Sequence, residues 1–411
     1  MDTFITPTWV TKDVATFWKN SLKLVGNFTR QWDDSFRNKP EGAQIGYTVQ
    51  ARLPQRFVVN EGQALVQQAI LNQTIPITIN HQQNIGMGWS SADSSLEVEE
   101  VQERYTMPAG EALANKVDVT AGAETYAQIY YSAGSPGVPI SDNATYLNAV
   151  AGLQNVGVPG PYVAVLDPLS QAAILGPNLA LFNPSKKISD FFDNGVFSGP
   201  ALGVREWSYD PNMPIHTTGS FTSCSPAVNG ANQTGSSLIT DLWASGATTL
   251  NAGDTFTIAG VNAVNPVSYA DTGTLQSFVV QATISDTSGA MTISIAPSII
   301  TSGQLQTVTA SPADDAAITV RGATGSVNAT LSATASRQSY LMNPDACAFV
   351  MADLKENLAG ARTAMARSKS MNLSMRWAEQ YNIQTDQNPS RVDIIYGTAV
   401  VLPYFAQRMW S

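Results

Sequence analysis

The hydrophobic pattern of the chain begins with a helix-like segment. Apolar residues recur every three or four positions between residues 10 and 25, at Val10, Val14, Phe17, Trp18, Leu22 and Val25. Lys12, Lys19 and Lys23 fall off this face, so the spacing predicts an amphipathic helix. No adjacent sequence offers it a core, and we expect it to lie across its own subunit or a neighbour. Asp13 and the short apolar face disfavour a membrane surface as the alternative.

Strict alternation of apolar and polar residues follows over residues 44–90. One arm contains Ile45, Tyr47, Val49, Ala51 and Leu53, and the other contains Ile75, Ile77, Ile79, Ile85, Met87 and Trp89. The pattern predicts a long two-stranded hairpin with a Gln- and Asn-rich tip near residues 60–73. Pro76 makes the second arm an edge, because proline cannot donate a ladder hydrogen bond. Since a two-stranded ribbon is marginal in water, its apolar stripe should need another surface.

The next segments mix helix and strand signals, which predicts an α+β fold. Residues 96–132 read as a helix with a break near Pro108, where Thr106 can cap. The remaining predictions are a loop at 133–161, a strand at 162–166, helices at 169–176 and 187–193, a helix from Asn343 and Pro344 to residue 358, and strands around 373–377 and 392–396.

A change in composition marks an inserted segment. Between Arg205 and Arg321 there is no Lys or Arg, while eight acidic residues remain. Strand-like runs occur at 255–259, 277–284, 291–295 and 306–310, separated by Gly, Asn and Asp clusters. Short strands at regular spacing predict a small sandwich or barrel, which we place at 225–335 inside a mixed domain that resumes afterwards.

The charge and the composition of the chain limit the classes of function that it can have. The 411 residues include 22 basic and 32 acidic side chains, for a net charge of −10, and only 13% are charged. Dedicated nucleic-acid binding is disfavoured, because phosphate contacts need clustered Lys and Arg. Two cysteines cannot form a disulfide framework, so we expect a reducing compartment. Without a secretion signal or an apolar run of ~20 residues, we expect synthesis and folding in a cytoplasm, with no membrane partner.

Candidate chemical residues are few. His81, His216, Cys224 and Cys347 lack zinc-ligand spacing, and no phosphate-binding loop or nucleophile elbow occurs. We therefore predict no catalytic, metal or cofactor-binding residues and no cofactor, and expect these four side chains to be packed or hydrogen-bonded. Two runs of charged residues have alternative interpretations. For the acidic run we favour a solvated helix face over a cation site: Glu97, Glu99, Glu100 and Glu103. For the basic run we favour a solvated or ion-pairing face over a strip that contacts phosphates: Arg362, Arg367, Lys369 and Arg376.

Several strings resemble the coat proteins of short-tailed bacteriophages. They are residues 104–109 (RYTMPA), 112–118 (ALANKVD), 253–261 (GDTFTIAGV), 264–266 (VNP), and Asp386 with 391–397 (RVDIIYG). The similarity spans nearly the whole chain in order. Asn343 departs from it, since we would expect His there, and this puts one local contact in doubt.

The resemblance implies the tailed-phage and herpesvirus major-capsid fold with an inserted all-β barrel. The implied parts are an N-terminal arm (1–40), an E-loop hairpin (41–91), a peripheral domain with a spine helix (92–160), an axial domain (161–224 and 336–370), the inserted barrel (225–335), and C-terminal strands that return to the peripheral domain (371–411).

The resemblance also implies a structural, non-enzymatic role in a virion. We expect hexamers and pentamers of this chain, a portal at one vertex and packaged double-stranded DNA without sequence-specific contact. A decoration protein is a further candidate partner. About 40 residues precede the hairpin, so we expect a separate scaffolding protein. Some relatives crosslink through a hairpin Lys, but none occurs here between Lys39 and Lys116. The alternatives are an encapsulin-like shell and a β-rich adhesin or fibre; a hydrolase has no motif in support.

Overall fold

The computed structural model describes residues 22–37, 46–63, 65–90, 107–178, 200–325, 328–355, 360–368 and 373–411. Most of the predicted N-terminal helix, Thr106, the glutamate run at 97–103, the helix predicted at 187–193 and Lys369 lie outside these ranges. The described helices are α1 (Asp33–Arg37), α2 (Met107–Thr125), α3 (Asn143–Asn155) and α4 (Pro168–Asn178).

The strands are more numerous than the helices. They are β1 (Thr48–Arg52), β2 (Thr74–Thr78), β3 (His81–Ser90), β4 (Tyr131–Ala133), β5 (Val163–Leu166), β6 (Glu206–Tyr209), β7 (Ile215–Thr217), β8 (Phe221–Cys224), β9 (Ala227–Val228), β10 (Gly235–Asp241), β11 (Thr249–Leu250), β12 (Thr255–Val264), β13 (Asp271–Val280), β14 (Ile284–Ser285), β15 (Met291–Ile299), β16 (Ile318–Val320), β17 (Ala329–Leu331), β18 (Ala335–Met342), β19 (Cys347–Met351), β20 (Arg362–Ser368), β21 (Leu373–Glu379), β22 (Gln387–Val400) and β23 (Ala406–Trp410).

The described residues form two compact units. The first lies within Met1–Arg52, Thr74–Ala121 and Cys347–Val401, and the second within Leu53–Gln73, Gly122–Ala346 and Leu402–Ser411. Each unit has its own sheets, and each is described by itself.

The long strand β22 organises the first unit. The first part of β22 pairs antiparallel with β3 and with β21, and its last five residues pair antiparallel with β19. Strand β20 pairs with β21. The strand signals around residues 373–377 and 392–396 are confirmed by β21 and β22. Gly397 of β22 allows a close backbone approach, because a Cβ there would lie 2.0 Å from the carbonyl oxygen of Thr78.

The predicted hairpin is shorter than the alternation indicates. Only β1 and β2 pair with each other, from Thr48 opposite Thr78 to Arg52 opposite Thr74. The second arm continues as β3, which pairs with β22 along all ten of its residues. The prediction of one long two-stranded hairpin over residues 44–90 was therefore wrong for the second arm from His81 onward. Period-two alternation specifies a strand but not which strand it pairs with.

Residues 22–37 lie against the first unit. The backbone N–H groups of Lys23 and Val25 donate to the buried carboxylate of Asp118 on α2, at 2.9 and 3.0 Å. Thr29 forms a parallel bridge with Ala348 of β19, and the Arg30 guanidinium lies 4.6 Å from the centre of the Phe349 ring. This part of the predicted N-terminal arm therefore packs on its own subunit, which was one of the two expected locations.

The helix predicted from Asn343 to residue 358 was wrong. A single 3₁₀ turn at Pro344–Ala346 is followed by β19, whose five residues are all buried. The capping signal at Asn343 is real, because its side-chain oxygen accepts the N–H of Asp345 at 2.9 Å. The apolar sequence that follows (CAFVM) is covered by residues 22–37 and paired with β22, so tertiary burial overrides the helical spacing.

A mixed sheet forms the base of the second unit. Its order is β4, β23, β18, β5 and β6, with β7 also paired to β18. The pairs β4–β23 and β5–β6 are parallel, whereas β18 is antiparallel to both of its neighbours in this order. The predicted strand at 162–166 and helix at 169–176 are confirmed by β5 and α4.

The loop predicted at residues 133–161 was wrong, because it contains α3. Asp142 caps this helix by accepting the Thr145 N–H at 2.8 Å. One face buries Tyr146, Ala149, Val150 and Leu153 against the mixed sheet. This helical spacing is visible in the sequence, but the surrounding Gly, Pro and Asn residues obscured it.

The inserted segment closes into a β-barrel. The strand order β16, β12, β13, β15, β10 and β9 is joined at its ends, because Ala227 bridges Ala317 and the Val228 N–H donates to the Ala316 carbonyl at 3.0 Å. Aromatic and branched side chains fill the interior, including Phe256, Phe278 and Ile293. The barrel enters after β7 and leaves into β18, two strands that pair with each other. The inserted all-β domain is therefore confirmed as a barrel, although 306–310 contains one bridge, Ala263 to Val308, instead of a strand.

Candidate assembly site

The segment between β1 and β2, residues 53–73, is called the hairpin tip below. The Leu53 N–H donates to the Gln73 carbonyl at 3.0 Å, which closes the base of the tip. The Gln68 amide oxygen accepts the Val58 N–H at 2.9 Å, and its amide nitrogen donates back to the Val58 carbonyl. Side-chain hydrogen bonds therefore give this irregular segment a defined shape.

The hairpin tip carries six large exposed apolar side chains, which are together called its apolar side below. Val59 is 91% exposed and Leu65 is 94% exposed, and further large apolar side chains stand in solvent beside them: Phe57, Val66, Ile70 and Leu71. Contiguous exposed apolar surface is typical of protein–protein contact sites. Sequence reasoning identified the tip by its Gln and Asn content and missed these side chains, although the run from Phe57 to Leu71 contains them.

A buried ionic cluster joins the barrel to the mixed sheet. His216 of β7 lies with its Nε2 2.8 Å from Oδ1 of Asp254, which directly precedes β12, and both side chains are 2% exposed. The second carboxylate oxygen of Asp254 accepts the N–H groups of Gly219 (3.0 Å) and Asn251 (2.7 Å). Gly253 adopts a φ of +100°, and a Cβ there would lie 3.1 Å from the His216 ring.

Arg408 of β23 completes this cluster. Its Nη2 donates to the Gly253 carbonyl at 2.7 Å, and its guanidinium lies 5.4 Å from the Trp410 ring centre and 5.8 Å from that of Tyr126. Burial lowers the pKa of Arg408 to about 10, while Tyr340, Tyr126 and Asp254 raise it. The entry strand, the barrel and the C-terminal strand therefore share one set of charged contacts.

This arrangement holds His216 by packing and hydrogen bonds. His216 lies in β7, and the structure places the Asp254 carboxylate beside it. However, the pair is enclosed by Trp410 and Tyr126, whose ring centres lie 5.3 and 5.5 Å from that of His216. A general base must reach the proton that it abstracts from a substrate, and a pair buried to this extent offers no such access.

Arg376, one of the four residues of the candidate phosphate strip, forms an ion pair inside the protein. Arg376 donates to Oδ2 of the fully buried Asp393 at 2.7 Å, and Arg391 donates to Oδ1 of the same carboxylate. Arg376 also donates to the Lys355 carbonyl at 3.0 Å. Arg362 is exposed. Arg376 therefore stabilises the β21–β22 pair from inside.

The remaining candidates are packed. Cys224 and Cys347 are buried, and burial raises the pKa of the Cys347 thiol to about 12. The His81 ring lies against Tyr396 with the ring centres 5.3 Å apart. Among the residues that the structure describes, no cluster of three His, Cys, Asp or Glu side chains could hold a metal, and no helix is long and apolar enough to cross a membrane.

An α+β chain with an extended hairpin, and with a β-barrel inserted between paired strands, has the architecture of a tailed-phage capsid subunit. A sequence model of the family described as P22 coat protein, gene protein 5, matches residues 67–407. The chain belongs to this family of structural coat proteins. The major-capsid fold and the coat-protein role expected from the sequence are thereby confirmed.

Comparison with solved structures gives several matches of low identity. A structure described as Mycobacterium phage Che8 is 12% identical, covering 93% of this chain and 89% of the other, with a TM-score of 0.41. The capsid of cyanophage P-SCSP1u is 11% identical, covering 95% and 97%, with a TM-score of 0.39.

The coat protein I-domain of CUS-3 is 30% identical, covers 24% of this chain and 96% of its own, and has a TM-score of 0.19. These overall similarities are low, so the family assignment rests on the sequence model. A comparison with curated protein sequences gives no match.

Replacing Asp254 with Ala should destabilise the fold without touching the hairpin tip. The substitution leaves His216 and two backbone N–H groups without their buried hydrogen-bond partner and removes a negative charge that acts on Arg408. The expected loss in the free energy of unfolding is about 3 to 5 kcal/mol. Chemical denaturation would measure it. The exposed Glu206→Gln variant is the control and should stay within about 0.5 kcal/mol of the wild type. If Asp254→Ala were as stable as this control, the cluster would not hold the barrel in place.

Proposed function

We propose that the chain assembles into a closed icosahedral shell around double-stranded DNA, as hexamers and pentamers. The observation that carries this proposal is the set of exposed apolar side chains on the hairpin tip, in a chain whose barrel and mixed-sheet cores are buried. Apolar surface gains ~25 cal/mol for each Å² removed from water, so the tip is stabilised when a second copy covers it. Membership of a coat-protein family supports the same role.

The domain division is part of the proposal. We assign an N-terminal arm (1–40), an E-loop (41–91), a peripheral domain (92–160 and 371–411), an axial domain (161–224 and 336–370) and the inserted barrel (225–335). The barrel core and the pairing of β7 with β18 support the insertion boundaries.

Noncovalent contacts should hold the shell together. An isopeptide bond from the hairpin would need a lysine amine, and the chain has none between Lys39 and Lys116. Shell strength then depends on the summed burial of weak contacts, and we propose that a separate scaffolding protein and a portal guide closure. Assembly would take place in the host cytoplasm, and the finished protein would reside in the virion.

The charge distribution supports loose contact with DNA. The chain carries a net charge of −10, and no Lys or Arg occurs between Arg205 and Arg321. Tight nucleic-acid binding depends on phosphate neutralisation by clustered cations. A wall with few such clusters can enclose DNA without restraining its entry or exit.

The contents of purified particles distinguish this function from a compartment shell with the same fold. Particles isolated from infected cells should contain nuclease-protected double-stranded DNA, measured by nuclease digestion followed by electrophoresis. Particles that hold protein cargo and no DNA would favour the encapsulin-like alternative. A soluble trimer that never forms closed shells would favour the adhesin or fibre.

Charging the apolar side of the hairpin tip should stop assembly without unfolding the subunit. Val59→Asp and Leu65→Asp each place a carboxylate where we expect an apolar contact with a second copy. Burial of each wild-type side chain in that contact should stabilise the assembly by about 1.5 to 3 kcal/mol. Electron microscopy and sedimentation should show soluble subunits in place of shells, with an unchanged thermal melting profile.

Neighbouring polar positions provide matched controls for this prediction. Asn60→Asp and Gln67→Glu add the same charge to the same exposed segment without removing an apolar side chain. They should assemble at close to the wild-type yield. Normal shells from Val59→Asp and Leu65→Asp would contradict the proposed role of the tip.

A further inference from the structure

The hairpin tip has a second side, which contacts other residues of its own unit. The Arg56 guanidinium lies 5.1 Å from the centre of the Tyr404 ring. The Gln304 amide nitrogen donates to the Gln68 amide oxygen at 3.1 Å. Tyr404 belongs to the 3₁₀ turn Pro403–Phe405, and Gln304 lies between β15 and β16 of the barrel segment. Gln304 and Tyr404 are called the seat below.

The seat is held in place by its own surroundings. The Tyr269 hydroxyl donates to the Gln304 carbonyl at 3.0 Å, and the ring of Tyr404 packs edge-on against Phe405 with the centres 4.8 Å apart. Both seat residues therefore have positions fixed by contacts that do not involve the tip.

Arg56 lines a small cavity beside the seat. The cavity has a volume of about 40 Å³, and its walls include Arg56, Tyr130, Tyr131, Gln276, Gln306 and Tyr404. It can hold water but is too small for an organic ligand. Burial raises the pKa of Tyr130 well above its usual value, Tyr131 and Tyr404 raise it further, and the charge of Arg56 lowers it. Arg56 thus acts electrostatically on this tyrosine cluster as well as touching Tyr404.

The tip keeps its shape without the seat. Gln68 makes two hydrogen bonds to Val58, and the Gln55 side chain donates to Asn72 at 3.3 Å, all within the tip. Among the described residues, the polar contacts to the seat are one cation–π interaction and one amide hydrogen bond. The tip can therefore be treated as a preformed body whose orientation depends on two weak polar contacts.

We propose that the seat orients the hairpin tip for capture by a second copy of this chain. With Arg56 and Gln68 on the seat, the apolar side chains of the tip already face solvent, and a neighbour can cover them without displacing the seat. A segment that is oriented before binding loses less conformational freedom when it binds. This inference rests on the proposed function, and it gives the inserted segment around Gln304 a part in assembly.

The exposure pattern favours this positioning role over an inhibitory one. An inhibitory contact would hide the surface that the neighbour needs, whereas Arg56 and Gln68 are only half-buried and the apolar residues around them stand in solvent. If the tip had to leave the seat before docking, fixing it there would prevent assembly. Crosslinking can therefore separate the two roles.

The first test removes the cation from the tip. Arg56→Gln should lower the equilibrium constant for seating about two- to fivefold, the value of an exposed cation–π contact. Hydrogen exchange of the tip amides should become faster, and shell formation, followed by light scattering after dilution from denaturant, should slow by a similar factor. Arg56→Lys keeps the cation and should restore most of both. Arg52→Gln, an exposed arginine in the same hairpin, is the control.

Unchanged amide exchange or unchanged assembly in Arg56→Gln, relative to Arg52→Gln, would overturn the proposal. A failure of this inference is distinguishable from a failure of the proposed function, because the Arg52→Gln control must itself form shells. If neither this control nor the wild type forms shells, the proposed function fails instead.

The second test fixes the tip on the seat. The double variant Gln68→Cys/Gln304→Cys can be joined by a short bis-maleimide, because Cys224 and Cys347 are buried and do not compete. Crosslinked chains should assemble at least as fast as the same variant before crosslinking. Failure of folded, crosslinked chains to assemble would show that the tip must leave the seat, and would overturn the positioning role.

Discussion

The structure depends on one constraint: a single copy of this chain cannot bury all of its apolar surface. The requirement to bury apolar surface is met in the cores of the two units, by β22 with the strands that pair with it and by the closed barrel with its filled interior. At the hairpin tip it is not met, since Val59 and Leu65 are almost fully exposed. Covering this surface with another copy is the physical reason for assembly, and it needs no catalytic group.

Buried charges serve the same purpose by keeping each unit in one arrangement. His216, Asp254 and Arg408 connect the start of the barrel to the strand at the chain's end, while Arg376, Arg391 and Asp393 connect two strands of the first unit. Removing one partner of such a cluster leaves an uncompensated charge in a low-dielectric interior. The clusters therefore specify where the inserted barrel is attached, while the apolar cores supply most of the stability.

The sequence predicted the larger divisions well and the local pairings less well. The loss of basic residues after Arg205 located the barrel, because composition persists over a hundred residues. A helix was predicted after Asn343, whereas the structure has the strand β19 there. The second hairpin arm was predicted to pair with the first arm throughout, whereas its continuation β3 pairs with β22. In both cases the outcome depends on tertiary partners distant in sequence, which periodicity does not encode. The partners of His216 and Arg376 were inaccessible for the same reason, since Asp254 and Asp393 lie in other segments.

The most direct test compares the solvent exposure of the hairpin tip before and after assembly. Hydroxyl-radical footprinting, read by mass spectrometry, measures the exposure of individual side chains in soluble subunits and in purified shells. We expect Val59, Leu65 and Ile70 to be labelled strongly in subunits and to be protected in shells. Equal labelling of these side chains in both states would contradict the claim that neighbouring copies cover the tip.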